Sequence, residues 1–346
     1  MREFNVEGPC DPERHFTVMR EALVRKGAEK VGRGMYITLY APEQAGKTTY
    51  VSALLREIAR ERPPRFLPVF MTLQGLREAD ADFFAAFQAR LRDGASDSAV
   101  RTIIAGAKLE TMLDFDWLMG NIYKQTQKKM ILVIDEFDDL PENRLDQTLH
   151  AFRALFHCRD RHSLHAVIMV GVRNLCGHVP DTGSPFNIAD DFELSYFSQA
   201  EVTNLIEQYE QESGQPFQRE VVDKIYEITR GHPSLANALC KELVERYCTD
   251  RSKPVDIASL GRAVEYFLTD DFDSRFAKIV AIAKQHEKFI CQLLFGEYKI
   301  RFNIHHEPIE FFRSHGLIEC DEAGYVAVSV PLYKKALLAA LRPGII

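Results

Sequence analysis

At 346 residues the chain is long enough for two or three domains with buried cores. Its 46% apolar and 27% charged content is ordinary for a globular protein, and a formal charge of −7 argues against a protein that coats nucleic acid by charge alone. Seven cysteines without a C-x-x-C pair, and no apolar run near the ~18 residues of a membrane span or at the start of the chain, point to free thiols in a reducing, cytoplasmic setting.

Residues 35–40 are an apolar, β-rich run and predict a strand. Ala41-Pro42-Glu43-Gln44-Ala45-Gly46-Lys47-Thr48 follows, and a helical pattern opens at Thr49. A strand, a tight loop and a helix N-terminus aim backbone N–H groups at one point, where the helix dipole favours a polyphosphate. Ala41, Gln44, Ala45, Gly46, Lys47, Thr48 and Thr49 are the candidate cradle. Lys47 supplies the cation for the β- and γ-phosphates, and Thr48 the hydroxyl for Mg²⁺. Ala41 stands where a glycine is usual, which requires a negative φ at that residue.

Residues 66–72 predict a second strand, and the Gly-, Ala- and Ser-rich segment 93–108 a loose connection before a helix around 112–123. The run 130–134 is apolar throughout and ends in Asp135-Glu136. A run apolar on both faces suits a central parallel strand, and open α/β sheets bind ligands at the carboxyl ends of their strands. Asp135 is then the carboxylate that holds Mg²⁺ through water, and Glu136 the group that polarises an attacking water. A buried strand running into a solvated acidic turn would account for Asp135 alone, but Lys47 upstream favours a nucleoside triphosphate site. Further strands are expected at 165–172 and 192–195, giving a parallel sheet wrapped by helices. Because 66–72 falls between the phosphate-loop strand and the acidic strand, an extra strand is expected to separate those two in the sheet. That insertion marks the additional-strand catalytic-glutamate branch of P-loop proteins.

After Ser198 only helical spacing remains, over 199–211, 219–229 and 234–247, punctuated by Gly214-Gln215-Pro216 and Gly231-His232-Pro233. From about residue 273 a third unit begins. Helices are expected over 288–295 and 309–315, a hairpin over 316–330 turning at Asp321-Glu322-Ala323-Gly324, and a last helix over 331–341. This is a winged-helix outline.

Phosphate loop, Ile-Asp-Glu strand, Gly171-Val172-Arg173 after the fourth strand, Ser184-Pro185-Phe186-Asn187-Ile188-Ala189, a helical lid with Gly-x-Pro and a winged helix occur in that order. The arrangement resembles the AAA-like ATP-binding proteins of the STAND and archaeal-ATPase group, relatives of origin-recognition ATPases. Phe4-Asn5-Val6-Glu7-Gly8-Pro9-Cys10 and Pro12-Glu13-Arg14-His15-Phe16 also resemble the lead-in of bacterial members. The resemblance covers nearly the whole chain. It implies an α/β P-loop core with its lead-in over 1–198, a helical lid over 199–272 and a winged-helix-like domain over 273–346. It also implies ATP and Mg²⁺, Arg173 as a sensor arginine beside the γ-phosphate, and Gly231-His232-Pro233 as a lid element that reads the nucleotide. A strand-end arginine and a plain helix stop explain the same letters. Glu43 is a departure, since bacterial relatives look like Pro-Arg-Gln at this stretch; an acid near a triphosphate costs on the order of 1 kcal/mol when partly screened. No arginine finger is assigned: Arg153, Arg159 and Arg161 fall in the right region, as would any surface arginine.

Three functions compete: an ATP-driven switch controlling self-association or a partner protein, a DNA-associated loader or remodelling ATPase, and a non-hydrolysing ATP-binding scaffold. The helix a DNA-reading winged helix would insert is Glu307-Pro308-Ile309-Glu310-Phe311-Phe312-Arg313-Ser314-His315, with two acids and one arginine. Phosphate contacts need Lys and Arg, whereas Phe311 and Phe312 suit burial against another protein surface or the lid. Lys334, Lys335 and Arg342 read as a solvated helix side. The switch is therefore favoured over DNA loading, and intact Lys47, Thr48, Asp135 and Glu136 argue against the scaffold. A separate second chemistry is not indicated, for there is no G-x-S-x-G or H-E-x-x-H, and His305-His306-Glu307 face different ways on any regular element.

Overall fold

The computed structural model describes residues 1–60, 65–77, 82–171, 189–269 and 274–341. The chain folds as two compact units, one of residues 19–41 and 47–194, the other of 1–18, 42–46 and 195–346.

The first unit contains α1 (Glu21–Gly32), β1 (Tyr36–Tyr40), α2 (Lys47–Ile58), β2 (Phe66–Thr72), α3 (Phe83–Gly94), α4 (Ser98–Ala105), α5 (Met112–Thr126), β3 (Lys129–Asp135), α6 (Glu142–His157), β4 (Leu164–Gly171) and β5 (Ala189–Glu193). Its five strands form one parallel sheet in the order β2-β3-β4-β1-β5. Burial along β3 is complete after Lys129, as its unbroken apolar run requires of a central strand. Pro68, which cannot donate to a ladder, falls in the edge strand β2. The apolar core draws on both sheet and helices, among them Phe87 of α3, Phe115 of α5 and Phe152 of α6.

One expectation is met by a different strand, and one is corrected. A strand does separate β1 from β3, but it is β4, which comes later in the chain; residues 66–72 form the outer edge. The segment 93–108 is not a loose connection, because it contains α4. Asp97 caps that helix by accepting the amides of Ala99 and Val100, and Val100 and Ile104, four residues apart, are both buried.

The second unit contains α7 (Gln199–Ser213), α8 (Arg219–Thr229), α9 (Pro233–Glu242) with a π turn at Leu243–Tyr247, α10 (Ile257–Thr269), α11 (Ser274–Gln285), α12 (Glu287–Phe295), α13 (Glu307–Ser314), the antiparallel hairpin β6 (Ile318–Cys320) and β7 (Val326–Val328), and α14 (Pro331–Leu341). A capping box of Ser198 and Glu201 starts α7. One apolar core runs from the lead-in through the lid helices to the wing. Phe4 and Phe16 pack on Tyr209 of α7, with ring centroids at 5.5 and 5.8 Å, and Arg2 pairs with Glu212. Phe312 is fully buried and Phe311 half-buried against His286 and His315, so the two phenylalanines of α13 serve this unit's own core.

Candidate nucleotide-binding site

β1 and β4 run in register to their carboxyl ends, Tyr40 opposite Gly171, and the Ala41 amide donates to the Gly171 carbonyl at 3.3 Å. The chain then leaves the sheet and re-enters helical geometry at Lys47, the first residue of α2. Within this loop the positive φ values fall at Gln44 (57°) and Gly46 (89°) and not at Ala41, which is why alanine is accommodated at the first position. Ala45 donates back to the Pro42 carbonyl at 3.4 Å. Lys47 is buried, and its Nζ donates to the Ala41 carbonyl at 2.8 Å, closing the loop on itself. Thr49 lies in the first turn of α2.

On the other side of β4, β3 ends at Asp135, which is 9% exposed. The Thr48 hydroxyl donates to Asp135 Oδ2 at 3.2 Å, and Asp135 Oδ1 accepts the Glu136 amide at 3.0 Å. Glu136 itself sits in the left-handed region (φ 52°) and starts a 3₁₀ turn over Phe137–Asp139. Burial raises the Glu136 carboxyl above its ordinary pKa; Asp135 adds to this, and Lys47 opposes it. A carboxylate that resists ionisation is a stronger proton acceptor once ionised, the property asked of a group that activates water.

Gly171 is a positioning residue that sequence patterning does not single out for this role. A Cβ there would stand 2.4 Å from Asp138 Oδ2, so the end of β4 must be bare for the acidic turn to fold against it. The apolar strand ending at a glycine is the local signal for it. Arg173 lies outside the described residues. Arg159 donates to the Gly34 carbonyl at 2.6 Å and stacks over Phe156, which places it at the start of β1, the end away from the phosphate loop.

Gly231, His232 and Pro233 form the corner between α8 and α9. Gly231 (φ 73°) faces the Phe197 carbonyl, and its own carbonyl accepts the Phe197 amide at 2.9 Å. His232 is buried and caps α9: Nδ1 accepts the Leu235 amide at 3.4 Å. That leaves the ring proton on Nε2, which faces the Tyr333 hydroxyl of α14 at 2.9 Å. The Tyr196 ring packs on His232 with centroids 4.8 Å apart. Pro233 occupies the first turn of α9, where its missing N–H is not needed.

The phosphate loop's middle residues, Pro42–Gly46, group with the second unit. Glu43 forms an ion pair with Lys278 of α11. Gly316, at the end of α13 with φ 71°, abuts Pro42 and the Tyr196 hydroxyl so closely that a Cβ would stand 2.4 and 2.7 Å from them.

Residues 31–177 match the family model described as the AAA domain. The phosphate loop and the Asp-Glu strand end both lie within that match, which makes this part of the chain an AAA-type P-loop domain. Among solved structures, it resembles a Walker-type ATPase of Pyrococcus abyssi at 16% identity, covering 96% of this chain and 99% of that one with a TM-score of 0.65. The ORC2 protein of Aeropyrum pernix, solved as ADPNP and ADP complexes, aligns at 12% identity over 96% and 94% with a TM-score of 0.54. Cdc6p of Pyrobaculum aerophilum aligns at 14% over 93% and 95%, also with a TM-score of 0.54. At these identities the likeness is one of fold, including the C-terminal hairpin unit. No curated protein matches the chain. Among the described residues no helix is long and apolar enough to cross a membrane.

Proposed function

We propose that this chain is a STAND-type ATP-dependent switch. ATP occupies the loop of Ala41, Gln44, Ala45, Gly46, Lys47, Thr48 and Thr49, Glu136 activates the attacking water, and the bound nucleotide governs association with itself or with a partner protein. The observation that carries the switch is the double attachment of the phosphate loop to C-terminal elements, Pro42 to the α13–β6 corner and Glu43 to α11. A ligand in a loop so attached has different contacts when those elements move, which is what a population shift needs.

The Thr48 hydroxyl and the Asp135 carboxylate are adjacent hard oxygen donors. Together with phosphate and water oxygens they fit Mg²⁺, which prefers few protein ligands. Among the described residues there is no cluster of three or more His, Cys, Asp or Glu that could hold a metal unaided, so the ion would arrive with the nucleotide. Bound there it would offset phosphate charge. Thr48 and Asp135 would orient it, Lys47 would exchange the Ala41 carbonyl for phosphate oxygens, and Glu136 would take the proton of the water.

Association is supported by Leu113 and Trp117, which are 81% and 63% exposed and four residues apart on α5. DNA loading is less favoured: α13 carries Glu307 and Glu310, and the wing turn carries Asp321 and Glu322. ATP turnover measured with and without duplex DNA, alongside solution mass with ATP analogue and with ADP, tests the proposal. A nucleotide-dependent mass without DNA stimulation is expected. Salt-sensitive duplex binding with stimulated turnover would transfer the chain to the loader class.

A further inference from the structure

An acidic residue in a phosphate loop opposes the anion the loop is shaped to hold, and Glu43 stands four residues before Lys47. Its carboxylate does not stand alone. Lys278 of α11 is ion-paired to it, and both residues belong to the same compact unit. Phe276 and Ile279, 1% and 7% exposed, anchor α11 in the apolar core on either side of Lys278, so the cation is presented from a fixed helix. The neighbouring loop residue, Pro42, is held independently by Gly316. Two consecutive loop residues are thus gripped by two different C-terminal elements, one through shape and one through charge.

We infer that Lys278 is a positioning residue for nucleotide binding. By pairing with Glu43 it cancels the loop's acidic charge and draws that carboxylate toward α11, so that Glu43 opposes an incoming phosphate less. Lys278 acts through Glu43 and touches no nucleotide. The effect scales with ligand charge, so ATP gains more than ADP. By linkage, ATP in the loop strengthens the attachment of α11, and any partner that pulls α11 away weakens ATP. The inference rests on nucleotide binding at this loop and is independent of the switch output.

Calorimetric affinities for ATP and ADP in Lys278→Ala, Lys278→Arg, Glu43→Gln and the Lys278→Ala/Glu43→Gln double variant test it. Both side chains are partly exposed, so Lys278→Ala should weaken ATP about two- to five-fold, the range of an exposed ion pair, and ADP less. Lys278→Arg should restore wild-type affinity. Glu43→Gln should bind ATP at least as tightly as wild type, and in its background Lys278→Ala should cost nothing. The Lys278→Ala loss should also shrink in 0.5 M salt, where screening acts within roughly 4 Å. Should the alanine variant fail to fold, Lys278→Met retains an unbranched stem and carries the same expectations. An unchanged ATP-to-ADP ratio in Lys278→Ala, or a loss that persists in the Glu43→Gln background, would overturn the inference. Identical mass and shape in every nucleotide state would instead count against the switch and leave the Lys278 result standing.

Discussion

The hydroxyl of Thr48 and the carboxylate of Asp135 meet at 3.2 Å, tying the first turn of α2 to the end of β3 with β4 lying between β1 and β3 in the sheet. A cation held by the hydroxyl oxygen and, through water, by the carboxylate would find both groups already adjacent. Asp135→Asn keeps the shape and removes the charge. It should abolish the increment that Mg²⁺ adds to ATP affinity, read by titrating ATP with the metal and with a chelator. An undiminished increment would move the metal to other ligands.

Lys47 is folded onto the Ala41 carbonyl rather than standing in solvent. Lys47→Ala should therefore have two separable effects. ATP affinity should fall at least about tenfold, or about 1.4 kcal/mol, because the loop loses its phosphate-facing cation. The apo protein should also lose about 1 kcal/mol of stability with that hydrogen bond. Equal ATP affinity in calorimetry would remove the loop from the binding site.

Glu136 gives a prediction with a sign. Glu136→Gln should keep ATP binding and lower turnover by ~10²-fold or more, the range of a positioned proton acceptor. In the wild type, activity should fall on the acid side at a pH above the ordinary carboxylate range, since burial and Asp135 hold the Glu136 pKa up. The stability consequence runs the other way. A raised folded pKa favours the protonated form, so the group's contribution is fully present below its unfolded pKa and is lost as pH rises through the folded value. Glu136→Gln, which cannot ionise, should therefore melt higher than wild type at pH 7, and the two should converge below pH ~4. A wild type more stable than the variant at neutral pH would contradict the environment assigned to this carboxylate.

How far the sequence reaches depends on whether the determinants are local. β2 is legible to the residue and β3 within one; for β3 the unbroken apolar run can satisfy only a strand covered on both faces. β5 lies a few residues before the expected 192–195, for it is an edge strand whose letters, Ala189-Asp190-Asp191-Phe192-Glu193, bury only Phe192 fully. α4 is hidden in the sequence because small residues on either side mask a two-residue apolar face, although its capping Asp97 is visible. α1, α10 and α11 are further helices that the spacing does not announce. Ala41, Lys47, Thr48, Asp135 and Glu136 are legible as motifs. The insertion of β4 between β1 and β3, the Gly171–Asp138 contact and the Glu43–Lys278 pair join residues far apart in the chain, and no window of spacing carries them.

Gly316 tests whether the grip on Pro42 matters. Gly316→Ala places a methyl group 2.4 Å from the Pro42 Cβ and asks an alanine to hold a φ of 71°. The backbone term alone costs about 1 kcal/mol. Relief of the clash must move Pro42 or the α13–β6 corner, so ATP affinity should drop along with the melting temperature. Gly324→Ala in the wing turn, also at positive φ (82°) but with open space around the added Cβ, supplies the control. It should lower stability and leave ATP affinity alone. Parallel losses of affinity in both variants would reduce the Gly316 effect to general destabilisation.

The output of the proposed switch is tested through α5. Leu113 and Trp117 stand four residues apart and largely exposed, while Phe115, Leu118 and Met119 of the same helix are buried in the core. Trp117 is the chain's single tryptophan, so its fluorescence reports this surface without a label. If self-association uses this face, ATP analogue should raise the solution mass and shift the emission to shorter wavelength, and ADP should do neither. A nucleotide moves such an equilibrium only by its differential affinity for the two states. A tenfold preference of ATP for the associating form shifts the ratio about tenfold, an effect easily read by mass measurement at micromolar protein. Trp117→Ala should abolish the mass change while ATP affinity stays at the wild-type value, because α5 contributes no residue to the phosphate loop. Leu113→Ser should weaken it in the same direction. An undiminished mass change in both variants would move the association surface elsewhere. A mass that never changes, paired with an emission shift on mixing with another protein, would assign the face to that partner.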